Sequence, residues 1–414
     1  MTAFGYLFIP IIVAFATIVS TLDNGLARLP PMGWMSWATF FCETDCENKP
    51  NHCINEKLYK EMADRLVEDG FLEAGYNRIH IDDCWMEKSR DEEGKLVADR
   101  KRFPSGIKEL AKYMHERNLE LGIYADFGNE TCAGEYPGSL DHLKDDADTF
   151  ASWDVDYLKL DGCYVETDLM PIGYPKMERA LNGTGRQIVY ACGWPLFFHT
   201  AGKEDEIKYD EVRAACNSWR IYDDVEGSWS SIAGIISYVE EHQDVLAAAH
   251  GPGGWNDPDM LVIGLPKVSI DQAVVQMTMW SMWSAPLIMS NDLRTLEPEF
   301  REILLNRDVI AIDQDPMGIM GKLIHKSESI GVYLKPIIPV QGDKTSYALA
   351  VVNKNLLEVK KVEFALKSLS IPSDKLYHVW DLWTGEDHGA VDSSYVFKFE
   401  LRPTSAVMLK LTLT

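Results

Sequence analysis

Residues 157–164 read YLKLDGCY, an apolar run that ends in an acid, a glycine and a cysteine, with Lys159 two positions before Asp161. In a strand, residues two apart share a face, so this ammonium and this carboxylate point the same way. A nearby cation favours the ionised acid. Asp161 is therefore a candidate nucleophile or base, although the same pair would also serve as a structural ion pair. A second stretch, NSWRIYDDVEGSW (217–229), sets Asp223 and Asp224 in a loop among Trp219, Tyr222 and Trp229. Apolar, aromatic surroundings raise a carboxyl pKa and keep the group protonated, the setting for a general acid. These residues alone do not separate Asp223 from Asp224. A charged carboxylate opposed to a neutral carboxylic acid is the pairing that glycoside hydrolysis uses.

Such residues need a scaffold that brings distant strand ends together. Short apolar runs ending in polar residues recur: PPMGWMSW, NRIHIDDCW, LELGIYADFG, VDYLKLDGC, QIVYACGWP, RAACNSWR, GGWNDPDML and PLIMSNDL. Amphipathic helical patterns lie between several of them, as in EKLYKEMADRLVEDGFLEAG and GIKELAKYMHERNLELG, whereas DQAVVQMTMWSMWSAP is apolar on most faces. Alternating strands and helices imply a parallel sheet, and eight units predict a (β/α)₈ TIM barrel over residues 22–317. The acids support that choice. Asp82, Asp83, Asp126, Asp161, Asp257, Asp259 and Asp292, with Lys159, Arg220 and Asn291, sit at or just past several strand ends, where barrels of this kind carry catalytic groups. An open sheet would gather them at one switch point. Trp34, Trp37, Trp85, Tyr124 and Trp194 also fall near these ends, as sugar-stacking faces. From 318 to 414 the texture changes to alternating runs such as SYALAVVN and AVMLKLTL, which predict a C-terminal antiparallel β-sandwich.

Composition narrows the setting. Residues 4–20, FGYLFIPIIVAFATIVS, are apolar and uncharged; their place and Pro10 favour a signal peptide over residues 1–21 rather than a membrane anchor. No stable span is expected once it is removed. The 8 cysteines all lie in the first 216 residues and read as disulfides behind such a signal; no close Cys/His cluster suggests a metal. Asn129 and Asn182 head glycosylation sequons. A net charge of −24 argues against nucleic acid as a partner, and no Gly-x-Gly-x-x-Gly follows the first strand, which argues against a nucleotide.

The motifs MGWMSW, IDDCW, GIYADFGNETCAG, LKLDGC, CGWP, CNSWR and GPGGWNDPDML resemble, in order, those of glycoside hydrolase family 27, the α-galactosidases and α-N-acetylgalactosaminidases. The resemblance implies the barrel and the β-domain. It also implies retaining hydrolysis of terminal α-galactosyl groups on glycoconjugates, no cofactor, a homodimer, and a lysosomal or secreted location. On the family's pattern Asp161 is the nucleophile and Asp224 the acid/base. Asp82 and Asp83 bind galactose hydroxyls, Lys159 holds the sugar's other edge, and Trp37 is an aromatic platform. Arg220 faces the 2-substituent, while Tyr124 and Met260 line the pocket. The implied disulfides pair Cys42 with Cys84, Cys46 with Cys53, Cys132 with Cys163 and Cys192 with Cys216. At Gly193 the pattern has Glu in galactosidases and Ser in N-acetylgalactosaminidases. Leu196 is the galactosidase choice where the other group has Ala. Gly193 should therefore remove a 2-hydroxyl acceptor and open space, while Leu196 crowds an N-acetyl methyl. Phe197 also replaces a Tyr. The expected activity is that of an α-galactosidase, with α-N-acetylgalactosaminidase as the close alternative and a non-catalytic galactose-binding protein as a distant one.

Overall fold

The computed structural model describes residue 22 and residues 24–414 apart from 370 and 373. The expected signal peptide, residues 1–21, lies outside the described residues. Eight strands form one parallel sheet: β1 (Met32–Met35), β2 (Arg78–His80), β3 (Glu120–Asp126), β4 (Tyr157–Asp161), β5 (Val189–Cys192), β6 (Ser218–Arg220), β7 (Trp255–Asp257) and β8 (Leu287–Met289). Their order is β7-β6-β5-β4-β3-β2-β1-β8. The sheet closes through Leu261, just past β7, which makes a parallel bridge to Met289 of β8. Strand interiors are almost wholly buried, as expected of strands walled in on both sides.

Helices wrap the sheet and bury the faces that their periodicity marked. Glu56–Glu68 buries Leu58, Met62 and Leu66, and Gly106–His115 buries Ile107, Leu110 and Met114. Asn55 caps the first through its side chain. The largely apolar helix Ile270–Trp283 begins with a Ser269/Gln272 capping box and is buried over most of its length. Among the described residues no helix is long and apolar enough to cross a membrane.

The C-terminal part is antiparallel. Six strands, β9 (Lys322–Ser327), β10 (Ile330–Gln341), β11 (Lys344–Asn353), β13 (Tyr377–Asp381), β14 (Asp387–Val391) and β16 (Ser405–Leu413), form one sheet. The strands β12 (Lys360–Ala365) and β15 (Val396–Leu401) form the second layer. Val332, Leu349, Val351 and Leu411 from the large sheet meet Phe397 and Leu401 from the small one in a separate core. Strand β14, DHGAV, carries no apolar alternation, so its sequence pattern does not mark it.

The two parts meet over a polar joint. Lys335 of β10 is fully buried and donates to the Ser281 carbonyl (2.9 Å), Ser284 Oγ (2.6 Å) and the Ile312 carbonyl (2.6 Å). Glu240 of the helix Trp229–Ala249 accepts from Tyr333, Lys326 and Lys354 of the β-domain. Removing the Lys335 ammonium leaves two carbonyls and a hydroxyl without this donor in a buried joint. Lys335→Met is expected to cost about 1–3 kcal/mol of unfolding free energy, read from urea denaturation; an unchanged midpoint would contradict this account of the joint.

Candidate active site

The mouth of the barrel, at the C-terminal ends of the strands, holds a cavity of about 220 Å³. Trp37, Asp82, Asp83, Tyr124, Lys159, Asp161, Leu196, Arg220, Asp224 and Met260 all line it. Gly193 instead borders a smaller cleft of about 20 Å³ that runs on beneath Asp161 and Arg220. Sequence reasoning missed Thr200 in the wall and the exposure of Cys132 and Cys163 there. Thr200 lies one turn beyond Leu196 and Phe197 on the helix Trp194–Thr200, a spacing that could have found it. A wider concavity of about 1200 Å³ lies at the other end of the barrel, among Arg28, Arg78, Glu120, Asp154 and Arg186. None of the strand-end acids reaches it.

Each polar group has a defined anchor. Asp82 and Asp83 follow β2. Asp83 accepts from the Cys84 amide (2.6 Å) and the Ala133 amide (2.9 Å), and burial raises its pKa despite these bonds. Lys159 Nζ donates to Asp82 Oδ2 at 2.8 Å and stands 5.3 Å above the Tyr124 ring. Arg220 Nη2 donates to Asp224 Oδ1 at 2.9 Å and lies 3.3 Å from Asp259 Oδ2. Asp259 also accepts from the Val225 amide (2.8 Å), which ties β7 to the loop carrying Asp224. Four disulfides, Cys42–Cys84, Cys46–Cys53, Cys132–Cys163 and Cys192–Cys216, use every cysteine. Of these, Cys163 pins the exit of β4 two residues past Asp161. The Cys163 amide donates to Asp126 Oδ2 at 3.1 Å, and the same carboxylate accepts from the Gly128 amide at 2.6 Å.

The electrostatics reverse the expectation for the two principal acids. Lys159 pairs with Asp82 rather than Asp161. Burial pushes Asp161 up to about 6, Lys159 opposes this, and the charge of Asp224 adds to it. Asp224 is held below its ordinary value, chiefly by the charge of Arg220 with burial opposing, and its side chain is 65% exposed. The aromatic surroundings expected to keep Asp224 neutral do not close over it. Trp219 is core, and Tyr222 stacks away on Tyr238. Trp34, Trp85 and Trp194 are likewise fully buried core rather than mouth. Asp292 is taken up by Arg294, and Asn291 donates to the Ile263 carbonyl. The space expected at Gly193 is also occupied. A Cβ there would meet the Phe197 ring at 2.8 Å and Asp161 Oδ1 at 3.0 Å, and one on Gly162 would meet the same ring at 2.8 Å.

Comparison with known proteins then places the chain. Residues 29–315 match the family described as alpha galactosidase A, and residues 334–411 match its C-terminal beta sandwich domain. The chain belongs to glycoside hydrolase family 27, the alpha galactosidase A family. It is 46% identical over 389 residues to the alpha-N-acetylgalactosaminidase of Gallus gallus, covering 94% of each protein. It is 48% identical over 334 residues to the alpha-galactosidase A of Homo sapiens, covering 80% of this chain and 76% of that one. The crystal structure of alpha-galactosidase I from Mortierella vinacea superposes with a TM-score of 0.82 at 27% identity, covering 94% of this chain and 98% of that one. As a member of the family the chain is a glycoside hydrolase, and the barrel mouth is where such chemistry belongs.

A reaction that needs one carboxylate and one carboxylic acid from the Asp161/Asp224 pair requires the pair to hold a single proton. That state spans the interval from below the ordinary aspartate value of 3.8 up to about 6. Above it both acids are ionised; below it both are neutral. The profile of kcat/KM against pH, which reports free-enzyme ionisations, is expected to be bell-shaped with its alkaline limb near 6. A plateau extending past pH 8 would contradict the assigned pair.

Proposed function

We propose that the protein is a retaining exo-α-galactosidase. The observation that carries this reading is the small cavity into which Asp161, Asp224, Lys159 and Arg220 converge with Trp37 and Leu196 in the wall. At about 220 Å³ it falls below the ~300–1,000 Å³ of drug-sized pockets and suits one terminal sugar ring. In the reactive form the single proton of the pair has shifted from the deeper Asp161 to Asp224; the ionised Asp161 attacks the anomeric carbon while Asp224 gives that proton to the departing glycosidic oxygen. The galactosyl–Asp161 ester so formed is then hydrolysed by a water that Asp224 deprotonates, and Asp161 leaves as carboxylate. Asp82, Asp83 and Lys159 bind hydroxyls, Trp37 stacks on the ring, and Tyr124, Arg220 and Met260 complete its walls, while Gly193 borders the cleft beneath. Glycans on the exposed Asn129 and Asn182, a homodimer and a lysosomal or secreted location belong to the same proposal; disulfides and sequons together fit export.

A second reading, α-N-acetylgalactosaminidase, is favoured by Gly193, which offers no side-chain acceptor for a 2-hydroxyl. Leu196, buried in the wall, weighs the other way, and Phe197 fills the room that Gly193 leaves. The nitrophenyl α-galactoside is therefore expected to be hydrolysed with the higher kcat/KM of the two nitrophenyl substrates. Preference for the acetylated one would reverse the assignment. Leu196→Ala should move the ratio roughly tenfold toward the acetylated sugar, the scale of a few methylenes in a pocket.

Asp161→Asn should lower kcat about ten-thousandfold or more without loss of thermal stability, and the first-formed sugar should be the α-anomer by NMR. Asp224→Asn should cost about 10²–10⁴ in kcat/KM on a disaccharide and far less on galactosyl fluoride, whose leaving group needs no acid. Galactose binding without turnover at any pH would instead mark a binding protein.

A further inference from the structure

Asp224 sits on the irregular segment between β6 and the helix Trp229–Ala249, with its side chain largely exposed. Its aim therefore depends on what holds that segment. From inside the barrel, Arg220 Nη2 donates to the Tyr222 carbonyl at 3.1 Å as well as to Asp224. From outside, the segment rests on His199. This is the penultimate residue of the helix Trp194–Thr200, which walls the cavity through Leu196 and Thr200. The His199 ring lies 4.8 Å from the Tyr222 ring, and its Nε2 stands 3.8 Å from Asp223 Oδ1. At the other end of the ring, Nδ1 pairs with Glu204.

The remaining neighbours leave this imidazole between two carboxylates. Tyr238, on the helix Trp229–Ala249, stands 5.2 Å from His199 and stacks at 4.3 Å on Tyr222. His242 of the same helix places Nε2 3.9 Å from Glu204 Oε2. Tyr209 borders Tyr238, and Glu241 adds its charge near Tyr222. Lys203 turns away to Thr167 and Asp168, at 2.9 Å each. A neutral imidazole has one N–H, whereas the imidazolium has one at each end. In the neutral ring the nearer acid, Glu204, holds that proton on Nδ1, and the Nε2 lone pair faces the Asp223 carboxylate. The imidazolium attracts both acids. The tie between the wall helix and the acid/base loop is therefore made in acid and lost as pH rises.

We propose that His199 is a positioning residue for the acid/base: as imidazolium it clamps the loop of Asp224 to the helix that walls the cavity, and the clamp slackens when the ring is deprotonated. The proposal rests on the α-galactosidase reading, in which Asp224 protonates the leaving oxygen. His199 is not part of the cavity lining and acts through Tyr222 and Asp223.

The test measures kcat/KM on melibiose, whose leaving group needs an acid, and on α-galactosyl fluoride, whose leaving group does not. Both are assayed at about pH 5 and about pH 8, the range over which an imidazole changes charge. His199→Phe is expected to lower the melibiose value about tenfold at the acid end, with the fluoride value held. His199→Gln keeps an N–H without a titrating charge, so the ratio of wild type to this variant on melibiose should fall from the acid to the alkaline end. That comparison decides the matter even where the phenylalanine variant fails to fold. A double-mutant cycle of His199→Phe with Asp223→Asn should show about threefold coupling in acid, lost or reversed at the alkaline end. Equal losses on both substrates, a wild-type to His199→Gln ratio that does not change with pH, or additive effects in acid would each overturn the positioning role. Wild-type protein inert toward both substrates would instead overturn the galactosidase reading itself.

Discussion

Charge imbalance at the barrel mouth is the constraint around which the rest is arranged. Lys159 and Arg220 are the two buried cations among Asp82, Asp161, Asp224, Asp257 and Asp259. Lys159 is held above the usual lysine value by Asp82, Asp161 and Asp259 although burial opposes its charge. Two cations cannot neutralise so many carboxylates in a poorly hydrated site, and the remainder is relieved by protons. Burial accordingly pushes Asp161 and Asp257 to about 6. The most accessible acid, Asp224, has a direct bond to Arg220 and is held below its ordinary value. Which acid carries the proton is thus set by depth and by the partner of each cation.

A charge cluster of this kind repels itself, and covalent and hydrogen-bonded ties oppose the repulsion. The Cys132–Cys163 disulfide spans the exits of β3 and β4, and Asp126 beneath it accepts from amides on both sides. Asp126 and Asp161 are register partners on those strands. Burial and the charge of Asp161 push Asp126 to about 8, so a neutral acid sits beside the charged mouth. Cys42–Cys84 does similar service beside Asp82 and Asp83. The two disulfides hold acids in place that would otherwise spread.

The β-domain contributes no group to the cavity. Its role in the observed structure is to cover the helix Ile270–Trp283, which is apolar nearly all round and would otherwise face water. The buried Lys335 and Glu240 give that apolar contact a fixed register, since a slipped interface would leave the ammonium without its acceptors and the carboxylate without its donors.

Much of this was legible in the chain. The eight strands coincide with apolar runs, and the cavity acids lie at or just past the ends of β2, β4 and β6, because a strand walled in by helices admits only apolar residues until it emerges. The helices followed their own period, and β14 escaped for want of one. Residue types named the chemistry: Asp161 and Asp224 were candidates from their neighbours, and ordered motifs assigned the family. Three-dimensional structure alone decided the partners. It gave Lys159 to Asp82, bound Arg220 to Asp224, filled the gap at Gly193 with Phe197 and sent three tryptophans into the core. A strand shows which way a side chain points but not which distant charge lies across the barrel. The protonation pattern depends on those distances and on burial, and neither exists until the sheet has closed.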